Sequence, residues 1–540
     1  MDRRQWLKRL AGAGAGWASL AGLGTGLVGC GGGAASAGSS AGAGAGASSS
    51  GDGQDGGEGS KGNAHVVNIA VDPRAGGQAL PAGLRGSNVQ WTDRGDNLLL
   101  ADGSVDPLML AGVQRIAPSV LRYPGGTQSE VFHWDAAENE HVFTGAMQPT
   151  VMDTRHLLEL CETLGADPLF TVNLCTGSVA EAQAWLQRTN LDRLISRNSG
   201  RPLPTVPRWE LGNEPYLQNG GRPELDLGPA LFAERVNAFA PALRAVDPSV
   251  RLGLPLTTDQ RNGVWVTPWQ GFTRQVLGAL TPEAEPDFVC LHNAYMPFAT
   301  DGNTDTSRFY WAAMAGPEAV ADDLAAMRAL LAELRPGRPL PLAITEWAPI
   351  FSIGAATDGL ILSPTGALYA VDLLRMLAQQ PDLELATHWS LSGNWWFGAL
   401  SQSGFPRAIA DALSLAGPAL QGERLAVSVQ CDQVATPALG QVSARSALPL
   451  CTVLPTRQGN RLRLLIVHKE FTRRAAVTLN LAGQVPLAAS LTVLRSADPF
   501  SATDVAGAMQ SVVTAPTPAA VMNFGLAPHS VAVLELTMAG

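Results

Sequence analysis

Eight apolar strands recurring about every forty residues with amphipathic stretches between them, then a helix-free run of short strands, predict an α/β chain: a (β/α)8 TIM barrel with a C-terminal all-β sandwich domain. A third observation agrees. Glutamates stand where predicted barrel strands end, and barrel chemistry sits at the carboxyl ends of strands. At 540 residues with 46% hydrophobic composition, the chain is long enough for two or three domains, and most of it should fold. Its net charge of −10 argues against nucleic acid as a partner. Lysine occurs only at Lys8, Lys61 and Lys469, so no predicted barrel strand carries a Schiff-base lysine.

The chain opens with Arg3-Arg4-Gln5-Trp6-Leu7-Lys8, runs through a weakly apolar Gly/Ala-rich stretch and reaches Leu27-Val28-Gly29-Cys30. This resembles a bacterial twin-arginine export signal ending in a lipoprotein cleavage box. Residues 1–29 are therefore set aside as a signal peptide, with Cys30 as the lipidated residue. The expected location is outside the cytoplasm, anchored to a membrane through that lipid, either periplasmic or at the cell surface. Gly24 to Gly29 fits G-x-G-x-x-G formally, but it follows no strand and opens no helix, so it reads as a decoy. Residues 30–62, nearly all Gly, Ala and Ser, form a flexible linker. Residues 63–82 bring an alternating strand, Val66 to Val71, expected to leave the next domain and join the sandwich.

The barrel is expected over 83–415. Its strands begin near Leu84, Ser119, Pro168, Pro207, Arg251, Asp287, Leu342 and Leu385, and three-to-four periodicity predicts helices over 153–164, 178–188, 230–246, 317–334 and 365–379. From 416 to 540 the helical period disappears. Short strands such as Arg461 to Val467, Ala475 to Leu481 and Val531 to Leu536 replace it, punctuated by turn residues, which predicts the sandwich.

The chemistry gathers at strand tips. Trp209-Glu210-Leu211-Gly212-Asn213-Glu214-Pro215 carries a core strand to an Asn-Glu pair, where Gly212 permits a turn and Pro215 ends the ladder. Leu342-Ala343-Ile344-Thr345-Glu346-Trp347 delivers a second glutamate. Paired carboxylates across a barrel mouth suit glycosidic cleavage, one protonating the leaving oxygen and the other attacking the anomeric carbon. Glu210, earlier in its strand, is expected to face the barrel core. Strand two ends Leu121-Arg122-Tyr123-Pro124-Gly125-Gly126-Thr127, setting a fixed positive charge beside the nucleophile and a double glycine where backbone can approach a ligand. Strand six ends His292-Asn293-Ala294-Tyr295, and the tyrosine is in place to donate to Glu346. His292 reads equally as a core or a site residue. Tryptophans 91, 134, 269, 347, 389, 395 and 396 fall at or beyond strand ends and offer aromatic faces to a sugar or to packing; Trp347 and Trp389 are taken as substrate contacts.

In combination these motifs resemble retaining glycoside hydrolases of clan A, most like family 51 α-L-arabinofuranosidases, over about 65–540. The resemblance implies Glu214 as general acid/base, Glu346 as nucleophile, Asn213 as the amide on the sugar 2-hydroxyl and Tyr295 as the tyrosine beside the nucleophile. Two positions depart from that family. Strand one reads Gly86-Ser87-Asn88-Val89-Gln90-Trp91, with Gln90 where the family offers a substrate-binding glutamate, and Thr127 stands where it usually carries Asn or Cys. Families 79 and 39, which include β-glucuronidases and β-xylosidases, share the plan and stay open, as does a surface lipoprotein that binds glycan without cleaving it. No cofactor or metal is expected, because strand one lacks His-x-His. Of the cysteines beyond Cys30, Cys431 and Cys451 are candidates to bridge the sandwich, Cys161 and Cys290 read as apolar filler, and Cys175 follows strand three.

Overall fold

The computed structural model describes residues 64–218, 222–258, 269–299, 304–352, 358–393, 397–501 and 509–539. The lipidation expected at Cys30, the leader and the linker lie outside the described residues, as do Trp395 and Trp396.

Eight strands form the barrel: β1 Gly83–Asn88, β2 Val120–Tyr123, β3 Asp167–Val172, β4 Arg208–Leu211, β5 Arg251–Pro255, β6 Phe288–Leu291, β7 Leu342–Ser352 and β8 Leu383–His388. Each begins within two residues of its expected start. Neighbours pair in parallel from β1 to β8, β8 pairs back onto β1, and Val289 aligns with Leu342 where β6 meets β7. The ring is closed, so the carboxyl ends of all eight strands meet at one mouth.

β7 continues past that mouth. A short strand, Ala294–Ala299, pairs with its upper half, Ala294 against Trp347 and Ala299 against Ser352. His292 and Asn293 occupy the step between β6 and this strand.

Helices cover the barrel where local chemistry allows them to start. The Asp153 carboxylate accepts from the His156 N–H ahead of Thr154–Leu164, and Ser178 with Glu181 forms a reciprocal cap on Val179–Leu186. The helix expected from Pro317 begins earlier, at Thr306, because Asp305 caps Ser307 and Arg308 and the chain carries Pro317 inside the helix. Three short helices, Pro107–Ile116, Phe272–Ala279 and Ala408–Ala416, gave too few turns for a legible period.

The all-β part consists of two main sheets. His65–Val71 lies in a four-stranded sheet between Val427–Gln430 and Ala475–Asn480, and every second residue is buried. The central strands of the seven-stranded sheet are buried on both faces. In Arg461–His468, Leu464 and Ile466 enter the core between the sheets while Leu465 and Val467 join the barrel's core, which is why this strand reads as a continuous apolar run. Lys469 is fully buried at that junction, 2.6 Å from Asp372 of the helix Pro364–Leu377, and Asp372 also meets Arg375 and the Thr452 hydroxyl.

Candidate active site

At the end of β2 the guanidinium of Arg122 is fully buried and organises the mouth. Its Nε donates to Glu210 Oε2 (2.5 Å), Nη1 to Asn88 Oδ1 (2.9 Å) and Glu346 Oε1 (2.8 Å), and Nη2 to Asn213 Oδ1 (2.9 Å). One side chain thus ties together residues from β1, β4 and β7. The Tyr295 hydroxyl donates to the other oxygen of Glu346 (2.7 Å), so both oxygens of that carboxylate are engaged and its plane is set.

Two local distortions aim the glutamates. After β4, Gly212 at φ 85° turns the chain, and Glu214 itself sits at φ 41°. A side chain in this left-handed region costs about 1 kcal/mol or more and persists where surrounding structure enforces it. In β7 the step from Ile344 to Trp347 aligns with Ala386 to His388 on β8, leaving one extra residue in β7. This bulge lets Thr345 and Glu346 both face the barrel interior, whereas a regular strand would have sent one of them outward.

His292 stands among three carboxyl groups. Its Nδ1 lies 3.3 Å from Glu214 Oε1 and 3.7 Å from Glu346 Oε2; its Nε2 meets the Thr345 hydroxyl (2.9 Å), which donates to Glu210 Oε1 (2.7 Å). Burial alone would drive the imidazole neutral, but Glu346, Glu210 and Glu214 outweigh it and raise its pKa to about 9. Burial likewise opposes the charge on Glu210, yet Arg122, His292 and Thr345 bring its pKa down to about 2. For Arg122 the desolvation is more than offset by Glu210 and Glu346, which push its pKa up. Glu214, His292 and Glu346 also offer ligand atoms within 4.8 Å of one another, a set able to hold a metal. With His292 charged, that set already contains a cation.

The sequence-chosen residues separate into three groups. Glu214, Glu346, Asn213, Arg122, Tyr295 and His292 converge, and the Nδ2 of Asn213 is buried without a protein partner. Gln90, Thr127 and Trp389 lie on the rim. Gln90 accepts from Thr92 (3.1 Å), Thr127 opens the 3-10 turn Thr127–Val131, and Trp389 is half-buried over the double glycine. A Cβ on Gly126 would come within 2.3 Å of that indole, so the glycines make room for Trp389 before any ligand.

Trp347 requires correction as a substrate contact. It is fully buried behind the barrel wall, packed on His388 with ring centroids 4.8 Å apart, because it follows the inward-facing Glu346 and alternation sends it outward. Trp91 is fully buried too, donating to the Gln128 carbonyl (3.3 Å).

Asn88 and Thr345 escaped the sequence reading. Asn88 Nδ2 donates to carbonyls of Thr345 (3.0 Å), Thr387 and His388, stitching β1 to β7 and β8. Asn88 sits within the strand-one motif and was legible by position. Thr345 was not, because strict alternation would have pointed it away from Glu346's side.

No family model matches the chain. Alpha-L-arabinofuranosidase C of Emericella nidulans is 29% identical over 163 residues, which is 27% of this chain; the chain spans only 31% of that relative's length. Among solved structures, the family 51 α-L-arabinofuranosidase of Thermotoga petrophila superposes with a TM-score of 0.70 at 17% identity, over 87% of this chain and 99% of its own. An α-L-arabinofuranosidase from Thermotoga maritima, solved as an arabinose complex, gives 0.68 at 17% identity, with the same coverage. These likenesses establish the fold, a TIM barrel with an accompanying β-rich unit.

Proposed function

We propose that this chain is a retaining glycoside hydrolase of the family 51 type, releasing terminal α-L-arabinofuranosyl residues from oligo- or polysaccharides. The observation that carries this reading is the spacing of the two glutamates: carboxylate oxygens of Glu214 and Glu346 lie within 4.8 Å of each other. Retaining enzymes hold their pair about 5–5.5 Å apart, whereas inverting enzymes need about 6.5–9.5 Å to admit a water between. The similarities to arabinofuranosidases support the choice of sugar.

In this reading Glu346 attacks the anomeric carbon, with Arg122 and Tyr295 fixing its two oxygens. Glu214 gives its proton to the leaving oxygen, then takes one from the water that opens the glycosyl ester. The cluster contains three carboxyl groups, Glu210, Glu214 and Glu346, and two cations, Arg122 and His292. One proton among the carboxyls makes it neutral, and the double displacement places that proton on Glu214. Asn213 Nδ2, buried and unpartnered, suits the sugar 2-hydroxyl. From its N-terminal sequence, the enzyme acts as an exported lipoprotein held at a membrane by Cys30.

An aryl-glycoside panel (α-L-arabinofuranoside, β-xyloside, β-glucuronide, β-glucoside) tests the reading. The furanoside is expected to turn over with retained configuration by NMR, and Glu346→Ala should lower kcat by on the order of 10⁴-fold. Full activity in Glu346→Ala, or an inverted product, would overturn the mechanism. Preference for the glucuronide or xyloside would overturn the sugar and keep the mechanism.

A further inference from the structure

The hairpin formed by Gln433–Thr436 and Arg445–Pro449 is an arm reaching from the sandwich to the barrel. At its tip, Gln441 N–H donates to the Pro297 carbonyl (2.8 Å). Gly440, at φ 56°, lies so close that a Cβ would be 2.0 Å from the Phe298 carbonyl oxygen, so only glycine fits there. Arg308 donates to the Ala438 carbonyl (3.1 Å), and Arg445 pairs with Asp322 (2.7 Å). Pro297 and Phe298 belong to the strand Ala294–Ala299, which also carries Tyr295 and its bond to Glu346. The arm therefore braces the strand that orients the nucleophile.

At the arm's base the ladder sets two cysteines face to face. Gln433 pairs with Pro449 and Val434 with Leu448, and continuing that register places Cys431 opposite Cys451. Leu450 N–H donates to the Asp432 carbonyl (3.0 Å), which carries the register one pair further, while the Asp432 N–H turns to His65 Nε2 (3.0 Å). Cys431 and Cys451 then occupy the adjoining non-hydrogen-bonded pair, where α-carbons approach to about 4.5 Å and side chains stand closest. Disulfides span about 4.4–6.8 Å between α-carbons. Cys431 Sγ lies 3.6 Å from the Cys451 carbonyl oxygen, and both side chains pack into the same apolar core between the sheets.

We propose that Cys431 and Cys451 form a disulfide that fastens the base of this arm. Each thiol gives up its proton and the pair passes two electrons to a disulfide oxidant such as glutathione disulfide, which leaves as two thiols. Two S–H bonds break and one S–S bond forms. Burial pushes the pKa of both thiols up, so exchange with outside thiols is slow once the arm is packed.

The test uses the full chain, kept in glutathione disulfide buffer, denatured without reductant and alkylated. Of the five cysteines beyond the proposed lipid anchor Cys30, Cys431 and Cys451 should resist alkylation until reductant is added, and peptide mapping should recover Cys431 linked to Cys451. Alkylation of all five without reductant, or linkage of any other pair, overturns the disulfide. Fastening is read by native trypsin digestion: cleavage after Arg445 should be about tenfold faster in the reduced chain and in a Cys431→Ser/Cys451→Ser double variant than in the oxidised chain. Equal rates overturn the fastening role.

Discussion

His292 at the barrel mouth and the His65–His468 pair inside the sandwich are buried alike, yet their proton affinities move in opposite directions. His292 is raised to about 9, whereas burial lowers His65 and brings His468 down to about 4. The difference lies in the neighbours. His292 touches carboxyl groups of Glu214, Glu346 and Glu210 within 3.8 Å. In the sandwich, Asp432 N–H donates to His65 Nε2 (3.0 Å), which places the ring's own proton on Nδ1 facing His468 Nε2 (3.3 Å), and His468 Nδ1 donates to the Ala527 carbonyl (2.7 Å). Every ring nitrogen is used with both rings neutral, and one more proton would set two donors against each other. Low dielectric magnifies whichever charges are present, so the same burial makes a cation in one site and forbids it in the other.

Removing the guanidinium that balances the mouth should break this comparison most severely. Arg122→Met leaves Glu210 and Glu346 buried without their shared cation, and breaking a buried pair costs about 3–5 kcal/mol. The denaturation midpoint should fall accordingly, and adding Glu210→Gln should recover part of the loss, because one orphaned charge is gone. A single variant as stable as the wild type would mean that the carboxylates, and hence the charge on His292, do not depend on Arg122.

His292→Gln sharpens the same contrast through pH. A pKa raised from 6.5 to about 9 on folding means that the imidazolium's contribution to stability is fully present below pH 6.5 and lost as pH rises through about 9. The wild type should lose on the order of 3 kcal/mol across that window, and the variant should be flat there. A variant that keeps the alkaline slope would locate the titrating group elsewhere.

The barrel was readable because each strand is a short apolar run with turn signals and each strand tip carries an unusual residue. Arg122, Glu214 and Glu346 stood out for that reason, and so did Tyr295. What alternation cannot express stayed hidden. The bulge in β7 turns Thr345 inward beside Glu346, against a regular period of two, and that single extra residue accounts for the missed contact. Trp347 was misplaced although plain alternation after Glu346 already points it outward. Periodicity placed a helix start at Pro317, but the Asp305 cap upstream decides the boundary. His292 was equally a core or a site residue on sequence, since its charge depends on three carboxyls that come from β4 and β7 and meet only in the closed ring.

The sandwich pair carries an effect of similar size and opposite sign. His468 has a pKa depressed to about 4 against about 6.5 in the unfolded chain, so the unfolded state binds more protons between those values. The stability of the neutral relay is therefore present above pH 6.5 and lost as pH falls through about 4. Asp432, Glu470, Arg473 and His529 are the charged or titratable groups around the pair, and none of them cancels the cost of burial. Thermal melts between pH 7 and 4 should show the wild type losing on the order of 3 kcal/mol. His468→Asn keeps a donor for the Ala527 carbonyl but offers no acceptor matched to His65, so it should start less stable at pH 7 and decline less toward pH 4. An undiminished acid slope in that variant would show that the relay does not titrate. The two buried sites would then differ only in the sign of one histidine, His292.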